Sequence, residues 1–186
     1  MMRIKITGSA SLDDIITVAN LKAFLRVDHN DEDTYITALR QVAINYIETI
    51  TDTRLGDVSA VGYLDSWYPA TFPVGPVQSI SSITYLSTAN TTQTLGASFY
   101  YTDLNVQPAR IRFVSPPDLY DDALARVQIN MVIGFPEASI PPPMIQAVRL
   151  LVGHLYENRT EEVTGTITTR LKVGIDALVS PFRTLL

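Results

Sequence analysis

One stretch of the chain gathers titratable side chains at short spacing: LLVGHLYENRTEE, Leu150 to Glu162. It carries His154, Tyr156, Glu157, Arg159, Glu161 and Glu162. A histidine with a carboxylate in reach is the minimum for general acid–base work, provided a pocket holds the substrate against them. On a helix, however, His154 neighbours Asn158 at i, i+4 and sits at the margin of a face formed by Ala147, Leu150 and Leu151. Arg149 and Glu157 fall on the polar side, and Glu157 with Glu161 is a like-charge pair. The stretch therefore reads as a helix boundary with a solvated end, not as a catalytic centre.

Other chemistry is equally sparse. With no cysteine there is no thiol nucleophile, disulfide or thiolate metal site, and the only other histidine is His29. No GxSxG, P-loop, GxGxxG or HExxH motif occurs. Asp13-Asp14 and Asp121-Asp122 are adjacent acids whose side chains diverge, so they suit a helix start or a turn better than a glycosidase dyad. DHNDED, Asp28 to Asp33, resembles a calcium loop only in its acids. The EF-hand positions for glycine and the bidentate glutamate hold Asp33 and Leu39. Asn30 or Asp31 is expected to cap a helix there, with the acids on its positive end. Trp67-Tyr68 with Tyr63 offers either a sugar-stacking platform or the closure of a small β core, and the core is the expectation.

The elements that must position these residues follow a helix, strand, helix order. A first helix is predicted over Val18 to Val27 with Thr17 as N-cap. A second runs to about Thr53, with Tyr35, Ile36, Leu39, Val42, Ala43, Tyr46, Ile47 and Ile50 on one face. Its other face has Thr37, Arg40, Gln41, Asn45, Glu48 and Thr49. Candidate strands are Val61 to Tyr68, Val77 to Leu86, Ser98 to Thr102, Arg110 to Val114 and Arg126 to Ile133. The last alternates Val127, Ile129, Met131 and Ile133 against Gln128 and Asn130. Ser87 to Thr94 is the polar loop of a hairpin. Prolines 141–143 open a third helix with Met144, Ile145, Val148, Leu151, Val152, Leu155 and Tyr156 as its apolar stripe. Thr160 to Val173 reads as a flexible or extended connector, and a short helix from Ile175 stops near Ser180.

The expected fold is thus α+β: a small helical bundle of N-terminal and C-terminal helices with an inserted antiparallel β-rich subdomain. The parts are 1–58, 59–136 and 137–186, the last packing with the first as one domain. A chain of 186 residues can bury about 70% of its unfolded surface, and 46% apolar with 18% charged residues is a globular composition. The net charge of -5 argues against a nucleic-acid clamp but not against lining a conduit through which DNA slides. No apolar run approaches the ~18 residues of a membrane span, and MMRIKITGSASLDD lacks the apolar core of a signal peptide.

Four segments, in order, carry a family resemblance: LKAFLRVDHNDEDTYI at Leu21 to Ile36, FPVGPVQSISSITYL at Phe72 to Leu86, MIQAVRLLVGHLYENR at Met144 to Arg159 and VGIDALVSPFR at Val173 to Arg183. Together they resemble the head–tail connector proteins of tailed bacteriophages, also called adaptor or head-completion proteins. The resemblance implies a structural virion protein without enzymatic activity or cofactor, made in the host bacterial cytoplasm. It implies a ring, commonly of twelve copies, beneath the portal protein. That ring extends the channel for double-stranded DNA, which passes without sequence readout, and offers a surface to a tail-side connector or tail-completion protein. Acidic side chains facing that channel would weaken phosphate contacts and help sliding. The expected contacts with portal or neighbouring copy are Arg170, Lys172, Phe182, Arg183, Leu185 and Leu186. Ile175 to Val179 either belongs to the same docking element or folds back on its own core. Two other classes stay open: a carbohydrate- or peptide-binding module using the β-rich insert and Trp67, and a hydrolase using His154 with a carboxylate.

Overall fold

The computed structural model describes residues 2–158 and 166–184, with side chains for all of these except 138 and 166–172. The chain forms two compact units, one of antiparallel sheets and one of helices. The mixture of helices and antiparallel sheets bears out the α+β expectation.

The sheet unit comprises residues 2–9, Asp52–Phe135 and Thr184. Its larger sheet has five strands: β1 (Arg3–Ile6), β2 (Val58–Leu64), β4 (Val77–Leu86), β5 (Thr92–Thr94) and β8 (Val127–Ile133), in the order β1-β2-β8-β4-β5. β8 is central because its alternation supplies one wholly apolar face: Val127, Ile129, Met131 and Ile133 are buried. Gly62 of β2 and Ile83 of β4 both sit beside Ile129. A methyl group on Gly62 would lie 2.9 Å from Met131 Cε and 3.2 Å from Met2 Sδ, so the missing side chain makes room for two methionines.

β4 has the predicted bounds but an unpredicted geometry. Two register shifts, between Val77 and Ser79 and between Ile80 and Ser82, each insert a residue. Val77, Ile80 and Ile83 therefore pair with Ile133, Met131 and Ile129 in turn, although they are spaced by three and not by two. β2 starts and ends earlier than predicted, because the chain leaves the ladder at Asp65. Asp65 instead accepts from Ala125 N (2.7 Å) and Arg126 Nε (2.7 Å) through its side chain and carbonyl. β1, an edge strand bearing Arg3 and Lys5, has no counterpart in the expectation. The polar loop after β4 is a hairpin turn closed by Ser87 and Thr91, and its end is β5. β8 stops at Gly134, whose φ of 111° and whose Cβ position, 2.0 Å from the Gly56 carbonyl oxygen, admit only glycine.

The smaller sheet of this unit has the order β3-β7-β6, from β3 (Ala70–Thr71), β6 (Tyr100–Asp103) and β7 (Arg110–Phe113).

The helical unit comprises Ala10–Thr51 and Pro136–Arg183. Its helices are α1 (Leu12–Ile15), α2 (Val18–Leu25), α3 (Asp33–Thr51), α4 (Pro142–Glu157) and α5 (Thr166–Val179). Thr17 caps α2 as predicted, its hydroxyl accepting from Asn20 N at 3.2 Å. α2 packs on α3 and α4, α3 on α4, and α4 on α5. A methyl group on Gly153 would lie 3.2 Å from Phe24 Cε1, which shows how closely α4 approaches α2.

Three expectations for this unit are corrected. The α3 cap is neither Asn30 nor Asp31: the helix begins at Asp33, and Asn30 instead accepts from Lys22 Nζ at 2.5 Å. Asp33, in the first turn, does lie on the positive helix end and pairs with Lys22 at 2.8 Å. The buried face of α3 is rotated from the predicted one. It consists of Ile36, Arg40, Ala43, Ile44, Ile47 and Thr51, while Val42 and Tyr46 are exposed. Residues 166–173 are helical, not an extended connector; residues 160–165 lie outside the described residues. The threonines cost α5 little, since β-branched residues lose only ~0.5 kcal/mol each against alanine, and burial of Ile175 and Val179 offsets it.

Candidate functional site

Of the chemistry-bearing residues singled out in the sequence, His154 and Trp67 are engaged in structural contacts, while Arg159, Glu161 and Glu162 lie outside the described residues. His154 is half-buried on α4, and its Nδ1 lies 3.2 Å from the Asn158 side-chain amide, its i, i+4 neighbour. Among the described residues no carboxylate joins them, so no acid–base couple is assembled. Trp67 is anchored from both ends. Its indole nitrogen donates to the Pro117 carbonyl at 2.7 Å, and its rings pack against Tyr85 (5.6 Å) and Phe113 (4.9 Å). That is the closure of a β core, not an open stacking platform. Among the described residues no group of three or more His, Asp or Glu side chains could hold a metal ion. No described helix is long and apolar enough to cross a membrane.

The paired acids fall at a helix start and a turn. Asp13 and Asp14 occupy the first turn of α1, and Asp121 and Asp122 lie in a turn. Asp13 reaches Arg40 Nη1 at 2.5 Å, and the same nitrogen donates to the Ile16 carbonyl at 2.9 Å. Arg40 is 5% exposed. A buried charge demands such a partner, and here the pair ties α1 to α3.

The predicted contact residues divide. Ile175 and Val179 are buried, so this part of α5 folds back on its own unit. Phe182 is half-buried after the 3-10 turn at Ser180–Phe182, and Arg183 is exposed with its guanidinium 2.7 Å from Asp176. Arg170 and Lys172 lie on α5, but their side chains, like all of Leu185 and Leu186, are outside what is described. Thr184 is buried in the sheet unit, where its hydroxyl accepts from Gln107 Nε2 (2.6 Å) and donates to the Asp52 carbonyl (3.2 Å).

One surface was missed from the sequence. The outward face of the β3-β7-β6 sheet is a shallow cleft of about 480 Å³ that includes Pro69, Thr71, Tyr101, Asp103, Arg110 and Arg112. Its signal was present as alternation in two short strands, YYTD and RIRF: Ile111 is buried while Arg110 and Arg112 face out. Tyr101 stands opposite Arg112 and Asp103 opposite Arg110. The alternation shows which residues share a face; only the pairing of β6 with β7 puts the tyrosine beside the arginines.

The fold is that of an α+β protein in which buried polar side chains such as Arg40 and Thr184 tie elements together. Residues 15–104 match the model of a family described as phage gp6-like head-tail connector protein. Three solved structures share the fold over nearly the whole chain. The neck of an empty gene transfer agent particle, computed with C6 symmetry, is 22% identical with a TM-score of 0.81, covering 99% of this chain and 96% of that one. The virion of a native gene transfer agent particle is 22% identical with a TM-score of 0.80, at 98% and 96% coverage. The neck of the native particle, computed with C12 symmetry, is 21% identical with a TM-score of 0.74, again at 98% and 96%. No curated protein matches the chain. The resemblance to head–tail connector proteins read from the four segments is borne out by the family match.

Proposed function

We propose that this chain is a structural head–tail connector. It is a non-enzymatic adaptor that forms a ring under the portal protein, extends the DNA channel and joins the capsid to the tail. The observation that carries this is the match of residues 15–104 to the connector family. The likeness of the fold to proteins of particle necks, at 98–99% of this chain, supports it. A twelve-copy ring is compatible with necks of both C6 and C12 symmetry. The partners on this reading are the portal, a tail-side connector or tail-completion protein, further copies of this chain, and double-stranded DNA in the lumen. The chain acts in the virion, at the head–tail junction, after synthesis in the host cytoplasm. A net charge of -5 suits a channel from which DNA must slide free. Arg170, Lys172, Phe182, Arg183, Leu185 and Leu186 remain the proposed contacts with portal or neighbour, and Arg183 is the exposed one among those with described side chains.

Native mass spectrometry of the purified chain, alone and mixed with the portal protein of the same particle, tests the reading. A discrete complex with about one copy per portal subunit is expected. A folded chain that binds no portal at any salt concentration or pH would sink it.

A further inference from the structure

We propose that the outward face of the β3-β7-β6 sheet is a socket for the Asp118–Leu124 loop of a second copy of this chain. The proposal rests on the ring reading above and names one contact that closes the ring.

The socket is unoccupied by its own chain in the sense that matters for charge. Arg110 and Arg112 are exposed, and neither guanidinium has an ion pair or hydrogen bond among the described residues. Tyr101, beside them, is 69% exposed. An aromatic ring next to two free guanidinium groups suits an occupant that is anionic and carries an apolar side chain.

The chain itself offers such an occupant. The segment PDLYDDAL carries Asp118, Asp121 and Asp122, all exposed, and Leu124, 79% exposed. Asp118 and Asp122 have no partner among the described residues, and Asp121 has only a 3.4 Å contact with Arg126. The acidic loop at Asp28 to Asp33 is the competitor within the chain, but Asn30, Glu32 and Asp33 are engaged at home, which leaves Asp28 and Asp31. Lys22 holds Asp33 and Asn30, and Glu32 accepts from Tyr156.

Geometry keeps plug and socket of one copy apart. Phe113 and Ile111 lie on the face of β7 opposite Arg110 and Arg112. Trp67 packs on Phe113, and the loop is fastened there through Pro117. Asp65 fixes its far end through Ala125 N, and Arg126 Nη1 donates to the Tyr120 carbonyl at 2.9 Å. The loop is thus fastened to Trp67, Asp65 and the end of β4, where Tyr120 N donates to the Leu86 carbonyl, and none of these contacts involves Arg110 or Arg112. A plug and a socket at separate places on one copy are what a head-to-tail contact requires. DNA is the other polyanion that two arginines could hold, and the charge reversals separate it from the loop.

Charge reversal in the full chain tests this, with circular dichroism to confirm folding and native mass spectrometry, alone and with portal, to read assembly. Arg110→Glu with Arg112→Glu, and separately Asp118→Arg with Asp122→Arg, should each weaken self-association at least about tenfold. The neutral pair Arg110→Gln with Arg112→Gln should act in the same direction. A chain carrying both reversals should assemble again, since reversed plug meets reversed socket. Assembly unchanged in both double variants overturns the contact and leaves the connector reading standing. Failure of the combined chain to recover, together with loss of binding to a DNA duplex in the arginine variants, also overturns it, in favour of nucleic acid. A wild-type chain that neither self-associates nor loads onto the portal overturns both.

Discussion

β8 and α3 each bury one face of their unit, and they do so under different rules. The buried face of β8 is wholly apolar, from Val127 to Ile133. That of α3 includes an arginine and a threonine. In the strand the backbone groups are consumed by ladders to β2 and β4, so a polar side chain turned inward would find no partner. In the helical unit, carbonyls at the ends of short helices stay unfilled. Ile16, at the end of one-turn α1, is such a case, and Arg40 fills it. Thr51 solves the same problem locally by donating to the Ile47 carbonyl at 2.7 Å. Burial in a sheet is thus decided by side-chain type, and burial among helices also by what the neighbouring ends lack.

The comparison can be broken most directly at the centre of β8. Ile129→Ala should lower stability by about 2–5 kcal/mol, because Ile129 is fully buried between β2 and β4. Urea unfolding followed by the fluorescence of Trp67, the only tryptophan, reports the sheet unit. A loss below about 1 kcal/mol would show that this strand is not the core of the sheet unit.

Arg40 sharpens the other side. Arg40→Ala should cost about 2 kcal/mol, read by far-ultraviolet circular dichroism, since it strips the Ile16 carbonyl and removes a buried stem. Arg40→Met strips the same carbonyl but keeps the stem, and Asp13, 69% exposed, can return to water, so it should cost about 1 kcal/mol less than Arg40→Ala. Equal losses would mean that the ion pair, and not the packing, holds α1 to α3. The smallest effect is expected at Val42. It is apolar by type but 54% exposed, so Val42→Ser should change stability by no more than about 0.5 kcal/mol. A larger loss would show that this face of α3 is covered in solution.

The same difference explains what was legible in advance. β8 was read residue by residue, because period two leaves one assignment of faces. α3 was found but turned by part of a turn, since its apolar residues spread around more than one face and Arg40 looked polar. The helix at residues 166–173 was hidden by its threonines, although Ile167, Leu171 and Ile175 fall at i, i+4 spacing. The β4 shifts were not legible at all, because an inserted residue is recognised only against the strand it slips past.

Sequence by itself determined the α+β class, the core strand β8, the Thr17 cap and the likeness to connector proteins. Each of these depends on neighbours within a few residues along the chain, or on segment order. Tertiary structure alone decided that Arg40 is buried against Asp13, that Trp67 is locked onto Pro117 and Phe113, and that Tyr101 stands beside Arg110 and Arg112. Each of those brings together residues that are distant along the chain or on different strands. Such proximity is set by strand pairing and helix packing, and no local pattern encodes it.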